Sequence, residues 1–464
     1  MERFTELAFA NENICILLGF ARLIISFCKE WRLPEIVDLL LRGAGQIITC
    51  RGSTREPKRK ANLSDPGLVE NGAVAVVGGN VFAVGSQNEV GRKIKGASLS
   101  TVIDVDGRVV LPGWVDPHTH AVFSRYRADE YEARIRGDSY LDIERRGGGI
   151  KRTVREVRAM DEDRLFEVSR RRLLRMLRQG TTTVEIKSGY GLDLESELKM
   201  LRVIARLGKE TPLDVVPTFM GAHQKPSEYT SGEEYVRIVI DDMIPAVVEA
   251  RLAEFIDIFC ESGVFDLEET REILDAGRKA GLGMKVHADE ITAMGGAELA
   301  AALHAVSAEH LIKISAEGIR KLARGRTIAV LLPCTSFGLG SREYAPAREL
   351  IEAGAAVALA TDFNPGSAPS SSMQFAVSIA CSQMGLTPAE AINAATLNAA
   401  FAIGKASLVG SLEVGKKADI VVYDVEDYRE IPSRAGSNHA ILVLKEGRAV
   451  WKEEDFMERS EVGY

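Results

Sequence analysis

Close cysteine pairs, an excess of positive charge, membrane-length apolar runs, internal repeats and low-complexity tracts are all missing from this 464-residue chain. The six cysteines (Cys15, Cys28, Cys50, Cys260, Cys334 and Cys381) are scattered, with no C-x-x-C pair. That pattern excludes a disulfide framework and a structural zinc knuckle, and it predicts free, buried thiols in a reducing cytoplasm. Acidic residues outnumber basic ones by 66 to 58, a formal charge of −8. Such a balance lacks the footprint of a nucleic-acid binder and suits a small-molecule substrate. Without a repeat period a solenoid is out. The one apolar run near the N-terminus, residues 14–27, contains Arg22. It is shorter than the about 20 residues that span a bilayer. The residues before it carry Glu2, Glu6 and Glu12 against Arg3, the wrong sign for a signal peptide. Residues 1–36 are read as an unassigned extension, and no membrane partner is expected.

What the chain does have is a folded core's share of apolar residues, 46%. From residue 38 the texture is short β runs with glycine punctuation. Residues 38–50 read as a strand with a turn, and 73–77 and 81–84 as a hairpin about Gly78-Gly79-Asn80. Residues 101–104 and 108–111 read as a second hairpin about Asp106-Gly107. The charged stretch 51–60 reads as a solvated loop.

After Pro112 strands and helices alternate. A strand opens at Val115, and others are predicted at 182–186, 214–219, 255–259, 283–287, 305–309, 327–332 and 355–360. Helices are predicted at 164–179, 195–209, 232–250 and 267–280. Eight strands over 115–400 predict an α/β fold, a (β/α)8 TIM-like barrel over residues 115–404. A doubly wound sheet is disfavoured because no G-x-G-x-x-G follows the first strand. Residues 37–114 and 405–464, both strand-rich, predict one small β-sandwich domain built from the two ends of the chain.

Chemistry-bearing residues gather at strand ends. Asp116-Pro117-His118-Thr119-His120 follows the first barrel strand. Residues two apart in an extended chain share a face, so both imidazoles can reach one metal. His287 closes another strand and opens His287-Ala288-Asp289-Glu290, His310 ends a third, and Asp362 ends a fourth. Five of the seven histidines (118, 120, 223, 287 and 310) fall at strand ends. A lone strand-end histidine is more often structural, but five at once are not easily so.

Residues 102–120 (VIDVDGRVVLPGWVDPHTH) and 410–424 (GSLEVGKKADIVVYD) resemble the flanking signatures of the amidohydrolase superfamily. Residues 118–137, 147–154 (GGGIKRTV), 184–192 (VEIKSGYGL), 221–223 (GAH), 287–290, 309–311 and 361–366 (TDFNPG) resemble, more narrowly, its imidazolonepropionase family. The resemblance runs from about residue 38 to about residue 452. It implies a hydrolase that uses metal-activated water to open the cyclic amide of 4-imidazolone-5-propanoate, giving N-formimidoyl-L-glutamate. It implies one Zn²⁺ or Fe ion per subunit on His118, His120, His287 and Asp362, a donor set suited to either metal. Glu290 would transfer protons, His310 would hydrogen-bond the attacking water or the oxyanion, and Asp362 would take the water's proton. Arg127 matches the family's carboxylate-binding arginine, a residue type made for bidentate recognition. Tyr140 and Tyr190 match its tyrosines. His223, Asn364, Gly366 and Ser367 match ring- and tail-contacting positions after the fifth and eighth strands. The family also implies a homodimer.

The chain departs from the family pattern at Ser124-Arg125-Tyr126, where Arg125 could take the role of Arg127, and at Lys151-Arg152 and Gln224-Lys225. Two other readings stay open. A binuclear cyclic amidase, or a related deaminase, would want a carboxylated lysine at the end of the fourth strand, with Lys187 near that place. A non-catalytic relative would have lost ligands, and this chain retains the full set.

Overall fold

The computed structural model describes residues 34–138, 140–229 and 231–456, with the side chains of Tyr140, Leu141, Glu144 and Asp455 outside the description. The apolar run 14–27, with Cys15 and Cys28, lies outside the described residues. Eight parallel strands form the barrel, here β1 (Trp114–Asp116), β2 (Thr181–Lys187), β3 (Asp214–Ala222), β4 (Phe255–Cys260), β5 (Gly283–Ala288), β6 (Ser307–His310), β7 (Ile328–Leu331) and β8 (Val357–Leu359). Each pairs with the next in sequence. Their near-continuous burial explains why they read as apolar runs rather than as alternating ones.

The ring between β8 and β1 is closed beyond their ends. Thr119 bridges Phe363 in parallel register, Asp362 N donates to the His118 carbonyl (3.1 Å), and His120 N donates to the Phe363 carbonyl (2.9 Å). Asp116 adds a side-chain tie, accepting from Thr361 N and Oγ1 at 3.1 and 2.5 Å.

Outer helices start where a side chain caps them. Asp161, Asp193 and Asp266 accept backbone N–H bonds at the starts of helices Glu162–Arg178, Leu194–Glu210 and Leu267–Lys279. The helix predicted at 232–250 is interrupted by a π-helical segment, Ile238–Met243, just before Pro245. Proline has no N–H to continue the i→i−4 ladder, which favours such a wider turn.

The other eight-stranded sheet draws on both ends of the chain. Strand Val109–Pro112, immediately ahead of β1, pairs antiparallel with Ile420–Tyr423 from beyond the barrel. Leu39–Ile48, Leu68–Val77, Asn80–Ser86 and Val102–Asp104 extend it on one side, and Ala440–Lys445 and Arg448–Lys452 on the other. Ile36–Val37 and Ser98–Leu99 form a two-stranded sheet. Gly113 links sheet to barrel, and a Cβ there would lie 2.2 Å from Thr182 Oγ1.

Two expectations change. Val102–Asp104 and Val109–Pro112 are not a hairpin, because each pairs in parallel with Leu39–Ile48. That strand bulges after Leu41, and Gly107 N donates to the Gly43 carbonyl at the bulge. Asp106-Gly107 therefore makes a jog between two parallel pairings instead of a reversal. The stretch 51–60 is not wholly solvated either. Lys58 is buried, its Nζ donating to the Asp65 carbonyl (2.6 Å) and Asn393 Oδ1 (3.0 Å). Arg59 donates to the carbonyls of Ala323, Gly325 and Gly354 at 2.8–3.1 Å, closing the C-terminal ends of two barrel helices.

Candidate active site

The barrel's C-terminal rim holds the polar cluster. Beyond β1 the chain stays extended along β2: Thr119 Oγ1 donates to the Glu185 carbonyl (2.6 Å) and Lys187 N to the Thr119 carbonyl (2.9 Å). That pairing puts His118 and His120 on one face. His118 Nε2 and His120 Nε2 lie 3.4 and 3.7 Å from Asp362 Oδ1, and His287 Nε2 lies 3.4 Å from His120 Nε2. His118, His120 and His287 bring three ring nitrogens within 4.8 Å of one another, and His118, His310 and Asp362 form a second such group that shares His118, all buried. His118 Nε2 makes no hydrogen bond there. Ring nitrogens and a carboxylate oxygen gathered this closely fit one divalent cation, and this donor set suits zinc or iron.

The backs of the imidazoles are held in turn. His118 Nδ1 lies 2.5 Å from Glu309 Oε2, and His287 Nδ1 lies 3.0 Å from Asp257 Oδ2. Lys187 Nζ pairs with Glu309 (2.9 Å), Asp257 (2.7 Å) and Glu185 (3.0 Å), while Lys285 Nζ pairs with Glu185 and Glu309 at 3.1 Å. All five are fully buried. Two ammonium groups against three carboxylates leave this layer with one negative charge in excess, which favours a cation above it. Sequence reasoning passed over these groups. The available signal was a charge at alternate positions of apolar strands, as in Glu185 with Lys187 and Lys285 with His287.

Lys187 ends β2, not the fourth strand. Burial disfavours its charge, but Asp257, Glu185 and Glu309 together raise its pKa. A carboxylated lysine forms from a neutral amine, so this setting opposes the binuclear reading. His223 likewise follows β3 and not the fifth strand. Its Nδ1 lies 3.0 Å from the Gly189 carbonyl, and its ring stacks on His120 at 4.9 Å. Burial, then His287, brings its pKa down to about 3, so the ring is neutral. Tyr190 is buried beside both rings, at 5.7 and 5.4 Å.

Glu290 follows β5. Burial first, then the charges of Asp362 and Glu261, push its pKa up to about 8. Its Oε1 lies 3.6 Å from His310 Nδ1, and burial holds His310 well below its ordinary value. Glu261 anchors the loop, accepting from Ile291 N (2.9 Å) and the Thr292 hydroxyl, and Asp289 accepts from Ala297 N (2.9 Å). Asp362 stays ionised: burial opposes it, but His118, His310 and the Thr335 hydroxyl (2.5 Å) bring it down to about 2. Asp289, His310 and Asp362 have φ of 51°, 73° and 53°, a left-handed conformation rare for such residues and often found at functional sites.

Arg127 is buried, while Arg125 is exposed and paired with Glu156 at 2.7 Å. The alternative role for Arg125 has no support in this geometry. Arg172, from helix Glu162–Arg178, lies over the Phe123 ring at 3.4 Å and donates to the Ser124 carbonyl (3.0 Å), fixing the Ser124-Arg125-Tyr126 loop. Asn364 is spent on its own turn, with Oδ1 accepting from Gly366 N and Ser367 N at 2.8 and 2.9 Å. Its contribution is to shape the loop. Tyr140 starts helix Tyr140–Arg145, and its side chain lies outside the described residues.

A parallel barrel with such a rim is the architecture of metal-dependent hydrolases, and the amidohydrolase family profile matches residues 109–450. The chain belongs to this amidohydrolase family, in its imidazolonepropionase branch. The imidazolonepropionase of Geobacillus kaustophilus is 50% identical over 414 residues, covering 89% of this chain and 97% of that protein. That of Symbiobacterium thermophilum is 48% identical over 416 residues, covering 89% and 97%. In fold alone, the chain is similar to a zinc-bound adenosine deaminase from Xanthomonas campestris, with TM-score 0.66, 18% identity, and 90% and 93% of the two chains covered.

Proposed function

We propose that the rim site opens the cyclic amide of 4-imidazolone-5-propanoate to N-formimidoyl-L-glutamate, a step of histidine degradation. The observation that carries this reading is the buried cluster of His118, His120 and His287, with Asp362 Oδ1 3.4 and 3.7 Å from the first two and Glu290 beside His310 on the same rim. One zinc or iron ion per subunit held by those four residues would lower the pKa of water from about 15.7 to about 7.

The chain's own groups divide the remaining work. Arg127 takes the propionate, and Tyr140 and Tyr190 are assigned to the same substrate by the family pattern. His223, neutral and with Nδ1–H directed to the Gly189 carbonyl, keeps a ring acceptor for the imidazolone N–H. The loop of Asn364, Gly366 and Ser367 closes on the tail. Asp362, ionised, accepts the proton of the attacking water. His310, a neutral imidazole, offers its N–H to the oxyanion as the ring carbonyl becomes tetrahedral. Glu290, protonated below about 8, gives its proton to the ring nitrogen as the C–N bond breaks. A cytoplasmic homodimer completes the reading.

The test is turnover of imidazolonepropanoate, followed as loss of its ultraviolet absorbance, with metal content measured on the same preparation. No turnover by metal-replete protein that accepts other cyclic amides overturns the substrate. Two tightly held ions per chain overturn the mononuclear site.

A further inference from the structure

Arg127 is gripped on three sides. Its Nε donates to Glu130 Oε2 at 2.9 Å, and its Nη1 donates to Thr153 Oγ1 at 2.7 Å. Its third side lies flat against Gly366, where a Cβ would fall 1.8 Å from Nη2 and 2.4 Å from Cζ. Arg127 N also donates to the Pro365 carbonyl at 2.9 Å. Arg127 and Glu130 are each only 6% exposed. Nη2 alone makes no hydrogen bond among the described residues.

The grip is itself braced. The second oxygen of Glu130 accepts from Gly149 N at 3.0 Å, at the start of helix Gly149–Ala159. That helix also carries Thr153, so it holds one acceptor on its own chain and braces the other, which comes from helix Ala128–Ile135. The 147–154 block thereby gains a role that its glycines alone do not explain. A buried Arg–Glu pair is close to neutral, so it attracts a carboxylate weakly at long range. Its value is a donor aimed in one direction.

We propose that Glu130 and Thr153 are specificity-determining positioning residues. By fixing Arg127 against Gly366 they make the site demand a carboxylate tail on its ring substrate. This rests on the reading of Arg127 as the tail-binding group. Loosening the grip costs the enzyme its preference for a carboxylate while the groups that act on the ring stay in place.

The experiment compares Glu130→Gln and Thr153→Val with the wild-type holoenzyme. KM for imidazolonepropanoate is measured alongside kcat. Inhibition by 3-(imidazol-4-yl)propanoate is measured against 4-ethylimidazole, which lacks only the carboxylate. The expected result is a KM raised by about tenfold with kcat within about twofold, and a preference for the acid over the tail-less ring reduced by about the same tenfold factor. Thr153→Val is nearly isosteric, so it decides the matter if Glu130→Gln folds poorly. An unchanged inhibitor preference in the folded variants overturns the proposal, even if kcat falls. Arg127→Met separates the two readings. If it leaves KM unchanged, the tail assignment itself fails; if it raises KM while the grip variants do not, only the present inference fails.

Discussion

Glu309 holds His118 from behind, with Oε2 2.5 Å from Nδ1 and neither side chain exposed. A carboxylate there fixes the ring and strengthens Nε2 as a donor to a cation. Glu309→Gln keeps the shape and removes the charge. Metal affinity is expected to fall by about 10–100-fold, read by competition with a chromophoric chelator. Unchanged affinity would refute the role given to this pair.

Metal uptake should also expel a proton. Burial disfavours the His118 cation, but Glu309 outweighs it and raises the pKa to about 9 in the cation-free protein. A ligand must be neutral at the coordinating nitrogen, so binding at pH 7 displaces that proton. Apparent affinity is expected to climb with pH until about 9 and then level off. Calorimetric titration in buffers of different ionisation heat measures the release, and a value of zero contradicts it.

Glu290→Gln is expected to reduce kcat by about 10²–10⁴-fold with a smaller effect on KM. Because the folded-state pKa is raised to about 8, the acid form is present below that pH and lost above it. The wild-type kcat should therefore fall as pH rises through about 8. The Gln variant should lack this limb, and a profile that keeps it in the variant assigns the limb to another group.

Away from the site, Arg59→Ala removes the guanidinium that closes two helix ends. Hydrogen bonds to a charged group suggest a stability loss of about 2 kcal/mol. Chemical denaturation checks the loss, and KM should not move.

Legibility in the sequence followed the physics of each element. Strands buried on both faces read as apolar runs, so all eight barrel strands were visible, with edges wrong by a few residues. Asp362, His118, His120 and His287 were visible because active-site residues sit where such strands end. Glu309 and Asp257 escaped because they lie within strands, where a charge reads as an edge of the apolar run and not as the rear support of an imidazole. The strand numbers attached to Lys187 and His223 were wrong even though the strands themselves read in the right order, which puts these residues after the second and third strands. The Asp106-Gly107 turn misled for a different reason. A turn signal reports a local bend, and the partner of the strands on either side was a distant one, Leu39–Ile48.

The way the barrel closes has a mechanical consequence. β8 and β1 meet through residues 116–120 and 361–363, and on the proposed assignment the same short segments supply His118 and His120 from one end of the sheet and Asp362 from the other. A cation shared among them is a buckle on a belt. Fastening it ties the first and last staves together, so loading the ion and completing the cylinder become linked in free energy. Without the ion, the joint at the mouth of the site would rest on the hydrogen bonds between residues 116–120 and 361–363.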